Sequence, residues 1–93
     1  FKKTKRKINL IMVITVKEAE KFTRSLQKLD KSYLDRVEKL IIKIKENPEI
    51  GKPMRNVRKG TREVYISPFR LSYAYDKGND VLYLLDIYHK NEQ

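Results

Sequence analysis

The sequence predicts an α+β fold in which a helical hairpin packs on one face of a small, mainly antiparallel sheet of four strands, in the chain order β-α-α-β-β-β. An apolar, β-branched stretch at residues 8–16 is typical of a strand. Two apolar stripes at helical spacing follow, over residues 19–29 and 34–44. Residues 62–75 and 81–88 then have the apolar patterns of three further strands.

The first predicted strand, residues 8–16, follows a basic arm at residues 1–7 that we expect to be flexible. Its nearly continuous apolar character predicts a strand that is buried on both faces or lies close to the centre of the sheet. A basic head before an apolar run resembles a signal peptide, but charged residues follow at once and a small-residue cleavage site is missing. Since the chain opens on Phe1, Met12 is a candidate for the native start.

Two amphipathic helices are predicted next. The apolar side of the first consists of Ala19, Phe22, Leu26 and Leu29, and that of the second of Leu34, Val37, Leu40, Ile41 and Ile44. Ser32 with Asp35 resembles a capping box at the start of the second helix. Asn47-Pro48 predicts its end, because the residue before a proline is disfavoured in the α region. So few residues join the helices that they should pack as an antiparallel hairpin.

A basic loop is predicted at residues 49–60, where glycine and proline occur without any periodicity. Residues 52–62 carry no acid, and their cations are Lys52, Arg55, Arg58, Lys59 and Arg62. A group of five cations without an acid therefore leads into the second strand.

Alternation in the second and third strands defines a core face and a polar face. In the second strand, Val64 and Ile66 point to one side, and Glu63 and Tyr65 point to the other. After a turn at Ser67-Pro68, the core side of the third strand carries Phe69, Leu71, Tyr73 and Tyr75, and its other side carries Arg70, Ser72 and Ala74. Arg70 is therefore expected beside Tyr65 and Glu63, on the face away from the core.

A hairpin loop at residues 76–80, in which Gly78 offers a positive φ, leads into the fourth strand. That strand, residues 81–88, is apolar on both faces except at Asp86, as expected for a central strand. Three tyrosines of these strands, Tyr73, Tyr75 and Tyr83, are assigned to the core rather than to a stacking surface.

Charge restricts the classes of partner. The 93 residues include 22 lysines and arginines against 12 acids, which gives a net charge of +10. This charge favours a nucleic acid, an acidic protein or an anionic membrane surface. We expect no association with a membrane, since the longest apolar run, residues 10–16, is far shorter than the ~20 residues that a span needs.

Composition also restricts the chemistry. Cysteine is absent, so neither a disulfide framework nor a cysteine metal site is available, and a reducing, cytoplasmic setting is compatible with the sequence. The sequence has no P-loop, no pair of metal-binding carboxylates and no serine triad, so we expect no cofactor and no metal. The length predicts a single domain over residues 1–93.

Several of these pieces, in their order and spacing, resemble the RelE/ParE superfamily of toxins from type II toxin–antitoxin pairs. The resemblance covers roughly residues 13–93. Its pieces are the Phe22-x-x-x-Leu26-x-x-Leu29 helix, a second helix ending in Asn47-Pro48, the Gly51-Lys-Pro-Met54 loop, the Arg62-Glu-Val-Tyr65 strand, Phe69-Arg-Leu-Ser-Tyr73 and the closing His89-Lys90.

The resemblance implies one of two activities. RelE-like members cleave messenger RNA at the ribosome without metal until a RelB-like antitoxin wraps them. ParE-like members lack the nuclease residues and act on DNA gyrase. We expect the first activity, an mRNA endonuclease with no small-molecule cofactor. The alternatives are a ParE-like gyrase inhibitor without nuclease activity and a non-catalytic RNA-binding relative.

RNA cleavage needs a base for the 2′-hydroxyl proton, an acid for the leaving 5′-oxygen and cations for the charge of the phosphorane. Arg70 matches the arginine that RelE-type nucleases carry before Leu-x-Tyr, and its fork can grip a phosphate bidentately. The structural alternative is a cross-strand salt bridge with Glu63. His89 and Lys90 match the catalytic imidazole and the cation at the end of the last strand in several members.

The match is inexact at other positions. Tyr65 stands near a lysine of the best-known nuclease, and it is expected to stack on a base or to share proton transfer. Arg62 would supply positive charge from the start of its strand, and Glu63 is a second candidate for the base. The paired strand lysines of those nucleases are absent, and the chain ends at Gln93, before the terminal helix and tyrosine of some relatives.

The remaining loop cations, Lys52, Arg55, Arg58 and Lys59, are candidate RNA-binding residues. Each phosphate contact would steepen the dependence of binding on salt. The alternatives are that these side chains are simply solvated, or that they dock an acidic antitoxin.

Overall fold

The computed structural model describes residues 14–92, so the predicted basic arm and the first part of the first predicted strand lie outside the described residues. The elements are β1 (Thr15–Glu18), α1 (Glu20–Gln27), α2 (Lys31–Glu46), β2 (Lys52–Pro53), β3 (Arg62–Ile66), β4 (Phe69–Asp76) and β5 (Val81–His89). Two 3₁₀ turns, Asn56–Arg58 and Lys90–Glu92, complete the list. The predicted α+β class and the order of the predicted elements are confirmed.

The sheet has five strands in the spatial order β1-β5-β4-β3-β2, and not the four that were predicted. β1 and β5 run parallel, and the other neighbouring strands are antiparallel. The added strand is β2, which lies within the predicted loop and pairs Lys52 with Glu63 and Pro53 with Arg62. A proline is tolerated in β2 because this strand lies at the edge of the sheet and pairs with only one neighbouring strand. The backbone N–H that proline lacks is therefore not needed for a hydrogen bond to a second strand.

The prediction that the first strand is central was wrong for its described part. β1 lies at the edge of the sheet, and β5 is its neighbour. Val16 is half-buried, whereas Lys17 and Glu18 are exposed although both belong to the strand. The pairing with β5 continues as far as Glu18, so hydrogen bonding rather than the apolar run decides where this strand ends.

The helices begin and end close to their predicted positions, but the cap of α2 differs from the prediction. Asp30, not Ser32, is the N-cap, and its carboxylate accepts from the backbone N–H of Lys31 at 3.0 Å. Ser32 Oγ donates to the same carboxylate at 3.1 Å. Asp35 forms an ion pair with Lys39 and is not part of a capping box. Asp30 rather than Ser32 caps the helix because it stands directly before the first helical residue.

Both helices pack on one face of the sheet, where they form a single core. Its fully or nearly fully buried members are Phe22, Val37, Ile44, Ile66, Leu71, Tyr73, Leu82, Leu84 and Ile87. Tyr75 packs against this core as predicted, whereas Tyr83 is 37% exposed. Since Leu82 and Leu84 take the core positions of β5, alternation turns Tyr83 to the opposite face.

A bulge in β5 changes that alternation. Ser72 pairs with Asp86 and the next residue of β4, Tyr73, pairs with Leu84, so Leu85 is left without a partner in β4. An extra residue of this kind exchanges the two faces of a strand beyond it. Ile87 therefore joins Leu84 on the core side, and Tyr88 lies on the other side.

The loop before β3 is anchored by a close backbone approach. Tyr73 Oη accepts from the backbone N–H of Gly51 at 2.9 Å and donates to the carbonyl of Pro48 at 2.7 Å. A Cβ at position 51 would lie 2.7 Å from Tyr73 Oη, so only glycine fits there without displacement. The hairpin loop after β4 uses positive φ at Asp80 rather than at the predicted Gly78.

Between residues 14 and 92, no helix combines the length with the apolar composition that crossing a bilayer requires.

Candidate functional site

The face of the sheet opposite the helices carries a row of polar side chains across β3, β4 and β5. Tyr65 pairs with Arg70, and Arg70 pairs with Tyr88. Glu63 lies in the neighbouring row, opposite Ser72. Arg70 thus lies on the same face as Tyr65 and Glu63, as alternation predicts.

Glu63 is the buried carboxylate of the described residues, with only 8% of its surface exposed. Its Oε2 accepts from Arg58 Nη1 at 3.0 Å and from the Tyr88 hydroxyl. Its Oε1 lies 3.7 Å from Arg70 Nη1. We call Arg58, Glu63, Arg70 and Tyr88 the Glu63 cluster. Two guanidiniums and a phenol compensate the cost of removing this carboxylate from water.

Arg58 reaches the cluster from the basic loop. Its Nη1 also donates to Tyr88 Oη at 3.1 Å, and its guanidinium lies 5.8 Å from the centroid of the Tyr88 ring. The hydrogen bond to Tyr88 and the charge of Glu63 raise the pKa of Arg58, so this side chain stays charged. Arg58 was predicted only as one of several RNA-binding cations, and the structure gives it specific partners at the sheet.

Tyr65 stands beside the cluster and is 56% exposed. Its hydroxyl shares a hydrogen bond of 3.4 Å with Ser67 Oγ. The Ser67 hydroxyl can donate to the phenolate, and together with the positive charges of Lys90 and Arg70 it lowers the pKa of Tyr65. Three of the predicted catalytic residues, Arg70, Tyr65 and Lys90, are therefore neighbours.

His89 lies on the other face of β5. It pairs with Phe69, and the two rings meet edge to face with their centroids 5.8 Å apart. The Phe69 ring in turn meets Tyr33 edge to face at 5.1 Å. The structure therefore does not bring His89 into the row that contains Arg70, although its neighbour Tyr88 is in that row.

Arg62 also lies away from the cluster. It pairs with Tyr73 on the core side of β3, as alternation predicts. Its Nη1 donates to the carbonyl oxygens of Gly51 at 2.8 Å and Glu49 at 3.2 Å. The guanidinium of Arg62 thus holds the loop before β2.

The other predicted RNA-binding cations, Lys52, Arg55 and Lys59, are exposed. Lys52 is the nearest of them to the cluster, because it pairs with Glu63. With Tyr65 and Arg70 it lines a shallow cavity of about 270 Å³. A phosphate on this face would therefore meet Arg70 and Lys52 together.

Tyr88 is the residue that reasoning from the sequence missed. Strict alternation from Leu82 and Leu84 puts residue 88 on the core side, and nothing in the run of apolar residues signals the bulge at Leu85. The one available signal in the sequence of this strand is Asp86, an isolated polar residue that lies directly after the bulge. In residues 14–92, no three acidic, histidine or cysteine side chains are grouped as ligands for a metal ion.

Comparison with known proteins gives a consistent result. The family model of the ParE toxin of type II toxin–antitoxin systems, parDE, matches residues 13–93. No curated protein matches the chain in sequence.

The fold is shared with solved toxin structures. A chain of the RelBE2 toxin–antitoxin complex from Mycobacterium tuberculosis is 26% identical, with a TM-score of 0.75 over 83% of this chain and 98% of that one. A chain of the intact Escherichia coli RelBE complex is 17% identical, with a TM-score of 0.73 over 87% and 100%. The YoeB/ParE toxin from Agrobacterium tumefaciens is 14% identical, with a TM-score of 0.73 over 81% and 96%.

The family model spans all of the described residues, and the fold is shared with chains of solved RelBE toxin–antitoxin complexes. The chain therefore belongs to the ParE toxin family and is a toxin of a type II toxin–antitoxin system.

Proposed function

We propose that this toxin is a metal-independent endoribonuclease that cleaves messenger RNA on the ribosome. The observation that carries the proposal is the Glu63 cluster, in which two guanidiniums converge on a buried carboxylate that also binds a phenol. A ribonuclease without a metal needs a proton acceptor, a proton donor and fixed positive charge. The cluster, with Tyr65 and Lys90 beside it, contains groups of all three kinds.

In the proposed reaction the 2′-oxygen attacks the adjacent phosphorus while its proton passes to a base. The bond from phosphorus to the 5′-oxygen breaks as that oxygen takes a proton from an acid, which leaves a 2′,3′-cyclic phosphate and a 5′-hydroxyl. Glu63 is our candidate for the base, and Tyr65, with its lowered pKa, is our candidate for the acid. His89, on the other face of β5, is a second candidate for either proton transfer, since an imidazole can both accept and donate a proton.

Arg70 is assigned to the scissile phosphate. Its contact with Glu63 is 3.7 Å long, and its side chain is 37% exposed. A guanidinium has five N–H donors, so an ion pair of this length orients Arg70 and leaves donors for two phosphate oxygens. Lys90 adds positive charge nearby. Arg62 is left out of the reaction because its guanidinium donates to the Glu49 and Gly51 carbonyls.

A RelB-like antitoxin is the proposed inhibitor, and messenger RNA and the ribosome are the proposed targets. The similar chains from M. tuberculosis and E. coli come from RelBE toxin–antitoxin complexes. A net charge of +10 suits an acidic antitoxin and an RNA target equally. We assign the exposed cations Lys52, Arg55 and Lys59 to RNA phosphates.

A second candidate function is inhibition of DNA gyrase without nuclease activity. It is favoured by the matching family model, which is that of ParE toxins, and by the absence of the strand lysines of RelE nucleases. A third reading is a non-catalytic RNA-binding protein, in which the pair of Glu63 and Arg70 only stabilises the sheet.

Ribosome-dependent cleavage separates these functions. Purified toxin is added to translating ribosomes, and the ends of the messenger RNA are mapped by primer extension. We expect cuts within codons, and about a hundredfold slower cleavage by Arg70→Ala, because one fixed donor to a developing charge is worth that much. Arg24→Ala, at an arginine that pairs with Glu20 on the surface of α1, is the matched control and should cleave normally.

Two outcomes would reject the nuclease. Intact transcripts together with accumulated DNA breaks would favour gyrase as the target. Unchanged toxicity of both Arg70→Ala and His89→Ala, in variants whose circular dichroism shows a native fold, would favour a non-catalytic protein.

A further inference from the structure

A cavity lies at the edge of the sheet, beside the Glu63 cluster, and Arg58 and Tyr88 of that cluster contribute to its lining. Its volume is about 610 Å³, and it lies between α1 and the end of β5. It exists because β1 pairs with β5 only as far as Leu84, so no other described strand covers the remaining part of that edge. We call it the edge cavity. Its size is that of sites that bind small molecules.

One wall of the edge cavity is apolar and aromatic. Phe69 lines it, and the rings of Tyr33 and His89 each meet the Phe69 ring edge to face, while Leu29 and Ile87 add aliphatic surface. Aromatic side chains are where proteins receive unstacked nucleobases.

A fixed carboxylate faces the same cavity. Asp86 Oδ1 accepts from Ser25 Oγ at 3.2 Å and from the backbone N–H of Ile87 at 2.8 Å, and Oδ2 lies 3.4 Å from Lys21 Nζ. These three contacts compensate its charge and fix its orientation. A carboxylate held in this way can accept a hydrogen bond from the amino group of a base.

Cations lie where a phosphate would emerge. Lys28, at the C-terminal end of α1, is exposed and lines the cavity. Arg58 lines it too, and Arg58 also donates to Glu63 and Tyr88. Arg58 therefore borders both the edge cavity and the buried carboxylate of the Glu63 cluster.

We infer that the edge cavity is a nucleotide subsite that receives one base of the RNA whose neighbouring phosphate lies at Arg70. This inference rests on the proposed ribonuclease function, and it adds a site that fixes the register of the RNA. The base would lie against Phe69, Asp86 would accept from its amino group, and Lys28 would bind its phosphate.

His89 supplies the test, because it is the only histidine of the chain and lines the cavity. The imidazole carbon-bound protons of the intact toxin give resolved NMR signals that can be followed during titration with adenosine 5′-monophosphate, ribose 5-phosphate or inorganic phosphate. We expect saturable shifts with adenosine monophosphate and much weaker ones with the other two. Lys28→Gln should weaken the binding of adenosine monophosphate about tenfold, which is the value of one charge-assisted contact. Lys43→Gln on α2 should leave this affinity unchanged.

Equal shifts with phosphate and adenosine monophosphate would reduce the cavity to a site for any anion and overturn the inference. Shifts with an oligoglutamate peptide but not with the nucleotide would also overturn it and assign the cavity to an acidic protein. The titration needs no ribosome and no cleavage. Arg70→Ala should therefore still bind adenosine monophosphate while it loses cleavage, so a failure of the subsite is distinct from a failure of the nuclease.

Discussion

The Tyr88 hydroxyl donates a hydrogen bond to Glu63, although the two residues lie on strands that are separated by β4. The bond crosses β4 on the face away from the core. Arg58 donates to both side chains, so the three residues form one hydrogen-bond network. The Glu63 carboxylate, which is only 8% exposed, is thereby surrounded by hydrogen-bond donors. The protein as a whole is strongly basic. The position of Arg70 depends on the same carboxylate.

Glu63 and Tyr88 should be energetically coupled. Glu63→Gln and Tyr88→Phe each remove part of one network, so their separate losses in the free energy of unfolding should not add. We expect a coupling free energy of about 1 kcal/mol or more, which is usual for residues in one hydrogen-bond network. Urea unfolding of both single variants and the double variant measures it. Additivity within the experimental error would mean that the bond contributes nothing to stability.

Gly51→Ala should destabilise the fold by about 1–3 kcal/mol, as forced overpacking does. A Cβ there would lie 2.7 Å from Tyr73 Oη and 3.0 Å from the Glu63 carbonyl oxygen, so the anchor of the loop would have to move. Gly78→Ala is the matched control, because its Cβ would lie 3.5 Å from Asp76 Oδ1, which is an ordinary contact distance. Urea unfolding should separate the two variants, and equal stabilities would contradict the close approach.

Tyr65 should be the first of three tyrosines to ionise as the pH rises. The Ser67 hydroxyl and the charges of Lys90 and Arg70 lower its pKa, whereas burial raises the pKa of Tyr73 and the bond to Asp80 raises that of Tyr75. The ring signals of Tyr65, followed by NMR, should therefore titrate at lower pH than those of Tyr73 and Tyr75, and the Tyr65 titration should move to higher pH in Lys90→Gln.

The sign of the associated stability follows from the same shifts. An acid whose pKa falls on folding favours the folded state fully above its pKa in the unfolded chain. The contribution of Tyr65 is therefore lost as the pH falls through its folded-state pKa. The raised pKa of Tyr73 acts in the opposite direction, and its contribution is lost as the pH rises through the folded-state value. Titration of the Tyr65 ring at the same pH as Tyr73 or Tyr75, or at a higher pH, would contradict the predicted order.

The exposed loop cations should determine how RNA binding depends on salt. Arg55→Gln with Lys59→Gln removes two proposed phosphate contacts, and each should reduce the slope of log K against log salt by about 0.7 for single-stranded RNA. Fluorescence anisotropy with a labelled single-stranded RNA measures the slope. Lys31→Gln with Lys43→Gln on α2 has the same change of charge and is the control. Equal slopes for the two double variants would mean that the loop makes no specific contribution.

Local patterns were sufficient to predict most of the fold. Helical spacing identified both helices because each has one apolar side that must be buried, and Asn47-Pro48 identified the end of α2 because proline restricts its predecessor. The period of two in β3 and β4 predicted that Arg70 and Tyr65 share a face, because each strand has one apolar side that must be buried. The edge position of β1 and the strand β2 were not predictable in this way, since a strand's neighbours are set by pairing with distant residues.

The candidate site, too, could be predicted only in part from the sequence. The sequence by itself determined the class of fold, the toxin superfamily and the shared face of Glu63, Tyr65 and Arg70, because these depend on residue type and local period. Only the tertiary structure decided that Tyr88 joins this face and that His89 lies against Phe69. One unpaired residue at Leu85 reverses the alternation of β5, and such a bulge arises from the register between two strands, which the sequence of one strand does not encode.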